Sequence, residues 1–127
     1  MMNHKLTKLE MDLMETLWTR GEASIREMQE AFQGKKKPGY TTVQKTVYRM
    51  EEKKLVRRTR KLGNFHMFAA TVSREAAERR LIADLLAMFR GKSRPVLAHL
   101  IGAGNLTLED MEYAERTLKE AREGRKK

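Results

Sequence analysis

The sequence predicts a mainly α fold with one small β-hairpin, and three observations carry that expectation. Four segments open with Ser or Thr followed three residues later by Glu, Gln or Asp: Thr7/Glu10, Ser24/Glu27, Thr41/Gln44 and Thr107/Asp110. Each precedes apolar residues at spacings of three and four, the pattern of a capped amphipathic helix. A single pair of strand-like runs flanks Leu62-Gly63-Asn64, a tight-turn sequence. At 127 residues and 40% hydrophobic content, the chain suits one compact domain or a small domain with an appended element.

The first helix spans residues 8–19, with Leu6, Leu9, Leu13 and Leu17 as its apolar stripe and Met14 and Trp18 widening it. Gly21 ends it. Trp18 continues the buried stripe, which favours a core anchor over an exposed stacking platform. Ala23 supplies a brief extended segment before the Ser24/Glu27 start. Ile25, Met28, Ala31 and Phe32 then mark a short helix closed by Gly34. The loop Gly34-Lys35-Lys36-Lys37-Pro38-Gly39 admits no helix. Its lysines are either a solvated loop or a phosphate clamp, and their place beside the next helix favours the clamp.

The central helix runs over residues 42–54. Thr41 and Gln44 have the spacing of a capping box, and Val43, Val47 and Met50 share one stripe. The opposite face carries Thr42, Lys45 and Arg49, flanked by Thr41, Gln44 and Tyr48. It offers donors and positive charge but no large aliphatic side chain, so it is either a solvated basic side or a surface for a DNA groove. Leu55 to Lys61 reads as a charged strand and Phe65 to Ala70 as its returning partner, with Phe65 or Phe68 inward and the arginines outward. Three helices followed by a basic hairpin are the parts of a winged helix-turn-helix.

After Ser73, an N-cap candidate, a helix covers residues 74–90 with Ala77, Leu81, Leu85, Met88 and Phe89 in register and Gly91 as terminator. Pro95 suits the first turn of a short helix containing Val96, Leu97, Leu100 and Ile101. The last helix spans 108–123, where Met111, Ala114, Leu118 and Ala121 form a pairing seam, and residues 124–127 are expected to fray. This half has too few apolar positions for a core of its own. Its faces need the winged domain or a second copy, and a second copy would also set the spacing of two DNA half-sites. The expected organisation is a winged helix-turn-helix domain over residues 1–72 followed by an α-helical dimerisation domain over residues 73–127.

Charge distribution points the same way. The net charge is +10, and between Lys35 and Ala70 eleven lysines and arginines face two acids, Glu51 and Glu52. Nearly the whole excess, +9, therefore sits in the loop, central helix and hairpin, as a localised binding face for a phosphate polymer would place it.

The ordered series Leu6-Thr7-Lys8-Leu9-Glu10-Met11-Asp12-Leu13-Met14 through Leu17-Trp18, Thr41-Thr42-Val43-Gln44-Lys45-Thr46-Val47, and Met50-x-x-Lys53-x-Leu55-Val56 resembles the penicillinase-repressor family. That family comprises the beta-lactamase and methicillin-resistance repressors with a copper-responsive branch. The resemblance implies a homodimeric transcriptional repressor with a winged DNA-binding domain, a helical dimerisation tail and a palindromic double-stranded DNA operator. It also implies a membrane sensor protease as partner, triggering a cut in the tail that would fall near Ala98-His99-Leu100. The asparagine-phenylalanine pair cut in such relatives is not present there. The cysteine cluster of the copper-responsive branch is missing too, since the chain has no cysteine.

On this expectation Thr41, Thr42, Gln44, Lys45 and Arg49 read bases, because Arg and Lys suit guanine edges and Thr can meet a thymine methyl. Lys35, Lys36, Lys37, Tyr48, Arg58, Arg60, Lys61 and His66 hold phosphates. Leu81, Leu85, Met88, Phe89, Leu97, Leu100, Met111 and Leu118 dimerise. No catalytic residue, metal site or cofactor is expected. His4, His66 and His99 lack ligand spacing, and no phosphate loop, nucleophile elbow or zinc-protease pattern occurs. No apolar run reaches the roughly 18 residues of a membrane span, nor does a signal peptide open the chain, so a cytoplasmic protein without membrane insertion is expected. Rival readings are a winged protein-interaction adaptor and a basic module on an anionic membrane surface.

Overall fold

Helix α1 (Lys8–Arg20) starts as its sequence predicts. The Thr7 hydroxyl accepts from the Glu10 N–H at 3.2 Å, and the Glu10 carboxylate accepts from the Thr7 N–H at 2.9 Å. The same carboxylate is fully buried, and its second oxygen accepts from the Lys53 ammonium at 2.9 Å. One side chain therefore caps α1 and ties it to a residue 43 positions later. Gly21, at φ +88°, ends the helix with its N–H on the Leu17 carbonyl. The fold described here is a computed structural model covering residues 6–34 and 36–125, the side chain of Arg125 excepted.

The two-residue strand β1 (Ala23–Ser24) leads into α2 (Ile25–Glu30), capped by the reciprocal Ser24–Glu27 bonds. This helix stops before Ala31, which is exposed, while Phe32 lies half-buried against the core; the apolar stripe expected to run on through both residues is one turn shorter. Helix α3 spans Tyr40–Glu52, two residues earlier at each end than the periodicity suggests. The expected Thr41–Gln44 capping box does not form. Gly39 is the N-cap, without a side-chain hydrogen bond, and its carbonyl accepts from the Val43 N–H at 3.1 Å. Pro38 precedes it with its carbonyl held by the Gln29 amide at 3.1 Å, so the chain enters extended and the helix begins at Tyr40. Thr41 then lies inside the first turn, and Gln44 donates to the Tyr48 hydroxyl at 3.3 Å.

At the other end, Leu55 N–H reaches the Met50 carbonyl and Lys54 N–H the Glu51 carbonyl, a Schellman closure. Lys54 occupies the left-handed position at φ +65°, where glycine is the usual residue.

Strands β2 (Val56–Leu62) and β3 (Phe65–Ala70) form the expected hairpin around Gly63 and Asn64. β1 adds to the outer edge of β3, giving an antiparallel sheet of order β1-β3-β2 rather than a bare hairpin. The register shifts between Arg58 and Arg60, leaving Thr59 as a bulge. Phe68 is fully buried and Phe65 is 54% exposed, which settles which phenylalanine faces inward. Phe68 joins Leu13, Met14, Leu17, Met28, Val43, Val47 and Met50 in a core built by all three helices and the sheet. Trp18 packs at its edge with its indole N–H on the Val72 carbonyl at 2.9 Å, an anchor rather than an exposed platform.

The chain forms two compact units, Met1–Asp84 and Leu85–Lys127, the division falling inside α4 (Arg74–Met88). The Ser73 hydroxyl accepts from the Ala76 N–H, as an N-cap does. In the second unit α5 (Arg94–Gly102) carries Pro95 in its first turn, and α6 (Leu108–Arg125) opens with the reciprocal Thr107–Asp110 bonds. α6 continues through Gly124, where fraying is expected from the sequence. No described residue of Leu85–Lys127 is buried.

Removing the buried acid while leaving its lysine is expected to be costly. Glu10→Ala should lower unfolding free energy by about 2–4 kcal/mol in chemical denaturation, because it breaks the ion pair to Lys53 and takes the acceptor from the Thr7 amide together. Lys54→Gly should raise it by about 0.5 kcal/mol: relief of left-handed sterics is worth roughly 1–2 kcal/mol, and glycine's greater unfolded entropy takes back roughly 0.5–1.

Candidate nucleic-acid interface

Helix α3 has two chemically distinct sides. Val43, Thr46, Val47 and Met50 are buried, and the Thr46 hydroxyl bonds the Thr42 carbonyl at 2.7 Å, so no polar atom is left wanting on the core side. Thr41, Thr42, Lys45 and Arg49 are exposed, and their side chains have no ion pair or hydrogen bond with other described residues. From Thr42 to Arg49 is about 10 Å along the axis, or roughly three base-pair steps. A helix of about 10–12 Å diameter matches a major groove about 12 Å wide. Gln44, the fifth residue expected to read bases, is partly buried and turned onto Tyr48.

The hairpin brings some of the expected phosphate ligands to this helix and engages others elsewhere. Arg58 makes a two-pronged ion pair with Glu51, at 2.9 and 3.3 Å, and its guanidinium lies 5.4 Å from the rings of both Tyr48 and Phe68. Arg60 pairs with Glu22 at 2.9 Å, and the same carboxylate accepts from the Thr59 hydroxyl at 2.7 Å. The bulge places residues 59 and 60 together on one acid. The Thr59 hydroxyl first, and Arg60 second, hold the Glu22 carboxyl below its ordinary range. Both arginines therefore have internal partners. Half-exposed pairs of this kind contribute little to stability, about 1 kcal/mol or less, and a phosphate can compete for them.

Lys36, Lys37 and Lys61 are exposed and have no side-chain partner among the described residues. Lys35 lies outside the described residues. His66, on β3 opposite Lys61, shares a cleft of about 110 Å³ with Gln44 and Tyr48, closed by Tyr40 and Phe65. Tyr40 was not singled out by sequence: it is half-exposed at the start of α3, with the Arg26 guanidinium 5.9 Å from its ring. Arg57, exposed on β2, belongs to the same unassigned group. Its place in the basic run was the available signal, whereas Tyr40 gave none until Gly39 was seen to start the helix.

The residues expected to dimerise divide by unit. Leu81, in the first, is partly buried. In the second, Leu85, Met88, Phe89, Leu97, Met111 and Leu118 are exposed, Met88 to 73%, while Leu100 is partly buried. Among the described residues no three His, Asp or Glu side chains converge as metal ligands, and no helix is long and apolar enough to cross a membrane.

Solved structures similar to this chain include a doubly substituted ZitR from Lactococcus lactis, 18% identical, covering 96% of this chain and 77% of the other with a TM-score of 0.46. A singly substituted form of the same protein is 17% identical, with 96% and 79% covered and a TM-score of 0.40. No curated protein matches. The family model described as penicillinase repressor matches residues 6–120, through α1, the sheet and most of α6. The chain belongs to the penicillinase repressor family, whose members are DNA-binding transcriptional repressors rather than enzymes.

Proposed function

We propose that the chain represses transcription as a homodimer on a palindromic operator, with one α3 in the major groove of each half-site. The observation that carries this is the uncovered polar side of α3, where Thr41, Thr42, Lys45 and Arg49 stand free over a helix anchored by its other side. In this arrangement Lys45 and Arg49 meet guanine edges and the threonines meet thymine methyls or phosphates. Lys36, Lys37, Lys61 and His66 sit on the sugar-phosphate backbone, and Arg58 and Arg60 turn to phosphates as they exchange their acids. Tyr48 contacts the backbone with Gln44 holding its hydroxyl. Residues 1–72 form the DNA-binding domain and 73–127 the dimerisation domain in this proposal.

The tail's need for a partner supports the dimer. Leu85, Met88, Phe89, Leu97, Met111 and Leu118 leave a large apolar area in water within a unit that has no buried residue among those described, and a second copy would bury it at roughly 25 cal/mol per Å². Bound to both half-sites, the dimer blocks polymerase. A cut near Ala98-His99-Leu100 by a sensor protease would separate the copies and release the DNA. That point lies inside α5, so the helix must open before a protease can take it in extended form.

Titrations by fluorescence anisotropy, on the promoter of the chain's own operon and on random duplex at two salt concentrations, test the assignment. Arg49→Ala should weaken operator binding by about 1–3 kcal/mol while hardly changing random DNA, and Lys36→Ala should weaken both equally and reduce the salt slope by about one. Identical behaviour of the two variants on both DNAs would remove α3 from base reading. A chain ending at Gly91 should sediment as a monomer and bind operator weakly; a dimer of that fragment would refute the tail's role.

A further inference from the structure

A second concave site lies within the first unit, between the end of α3 and the start of α4, with a volume of about 410 Å³. Leu6, Leu55, Val72 and Ala77 make its walls apolar. Its polar lining is of one sign: Lys53, Lys54 and Arg80, with no acid among the lining residues. Lys53 is bound from behind by the buried Glu10 carboxylate, and Arg80 stands 3.6 Å from Asp84. Lys54, exposed and at φ +65°, has no side-chain partner among the described residues.

The volume falls in the range of about 300–1,000 Å³ usual for small-molecule sites, and the lining has their composition of apolar walls with a few convergent polar groups. Water inside would meet hydrocarbon on most sides. A neutral hydrophobe would fill the walls but give Lys54 no partner, and a compact inorganic anion would do the reverse. An apolar body ending in one carboxylate satisfies both, by area buried and by charge-assisted hydrogen bonds. We infer that this pocket binds a small amphiphilic carboxylate, of the type of a medium-chain fatty acid, with its chain against Leu55 and Val72 and its head at Lys54 and Arg80. The site is separate from the exposed side of α3 and does not depend on how that side is used.

The chain carries its own reporter. Trp18 is the only tryptophan, and its indole N–H bonds the carbonyl of Val72, a wall of the pocket. The full chain is titrated with octanoate, decanoate and 1-decanol below their micellar concentrations, following Trp18 emission and heat of binding. Decanoate should saturate, about ten- to twentyfold tighter than octanoate at roughly fourfold per methylene. It should also bind at least about tenfold tighter than 1-decanol, which lacks the charge. Ala76→Phe, placing a ring at the pocket wall, should abolish binding. Arg80→Ser, at a half-exposed position, should erase the preference for decanoate over decanol and leave thermal unfolding unchanged. If Ala76→Phe does not fold, Arg80→Ser decides alone. Unsaturable titrations by both readouts, the result if a second copy or another segment fills the pocket, overturn the inference. Equal affinity for decanoate and decanol, or undiminished binding by a folded Ala76→Phe chain, does so as well.

Discussion

The structure turns on the commitment of one side of α3 to the core. Val43, Val47 and Met50 are fully buried against Leu13, Met14, Leu17 and Phe68, and a helix so anchored cannot rotate without exposing three large apolar side chains. At roughly 1.5–3 kcal/mol for each, that rotation is forbidden under any ordinary condition. The outward direction of Lys45 and Arg49 is thus a consequence of packing, not of anything those residues do themselves. The ends are fixed by separate means: Gly39 and the Gln29–Pro38 bond at the start, and the Schellman turn and the Lys53–Glu10 pair at the finish.

Much of this was legible in the chain because the signals are local. Thr7, Ser24 and Thr107 each cap a helix with the acid three residues on, and Gly21, Gly63 and Gly91 take positive φ where the periodic runs stop. The pattern misled at Thr41, which has a good capping partner in Gln44 but sits past a Pro-Gly entry that already starts the helix. Two residues of spacing cannot tell those alternatives apart, since both are sterically allowed.

What stayed hidden depends on contacts between distant segments. Glu10 reads as a simple cap, and only the folded chain brings Lys53 to its second oxygen. Arg58 and Arg60 read as free cations, yet sheet register and the bulge at Thr59 deliver them to Glu51 and Glu22. A count of charge along the sequence locates the basic segment correctly and overstates how much of it is unpaired. Among the described residues the effect is to leave unpaired positive charge on Lys36, Lys37, Lys45, Arg49, Lys54, Arg57 and Lys61, and to give the hairpin an attachment to α3 through the Arg58–Tyr48 stack. The helices after Asp84 carry their apolar residues in register but bury none of those described, so their periodicity was legible while the surface that would cover them was not.

The most direct test of groove reading by α3 is methylation interference on the operator, because guanine N7 lies in the major groove and adenine N3 in the minor. The account predicts that N7 methylation abolishes binding at guanines in two blocks about one helical turn, or a whole number of turns, apart. Interference confined to adenine N3, or absent from every guanine, would contradict it.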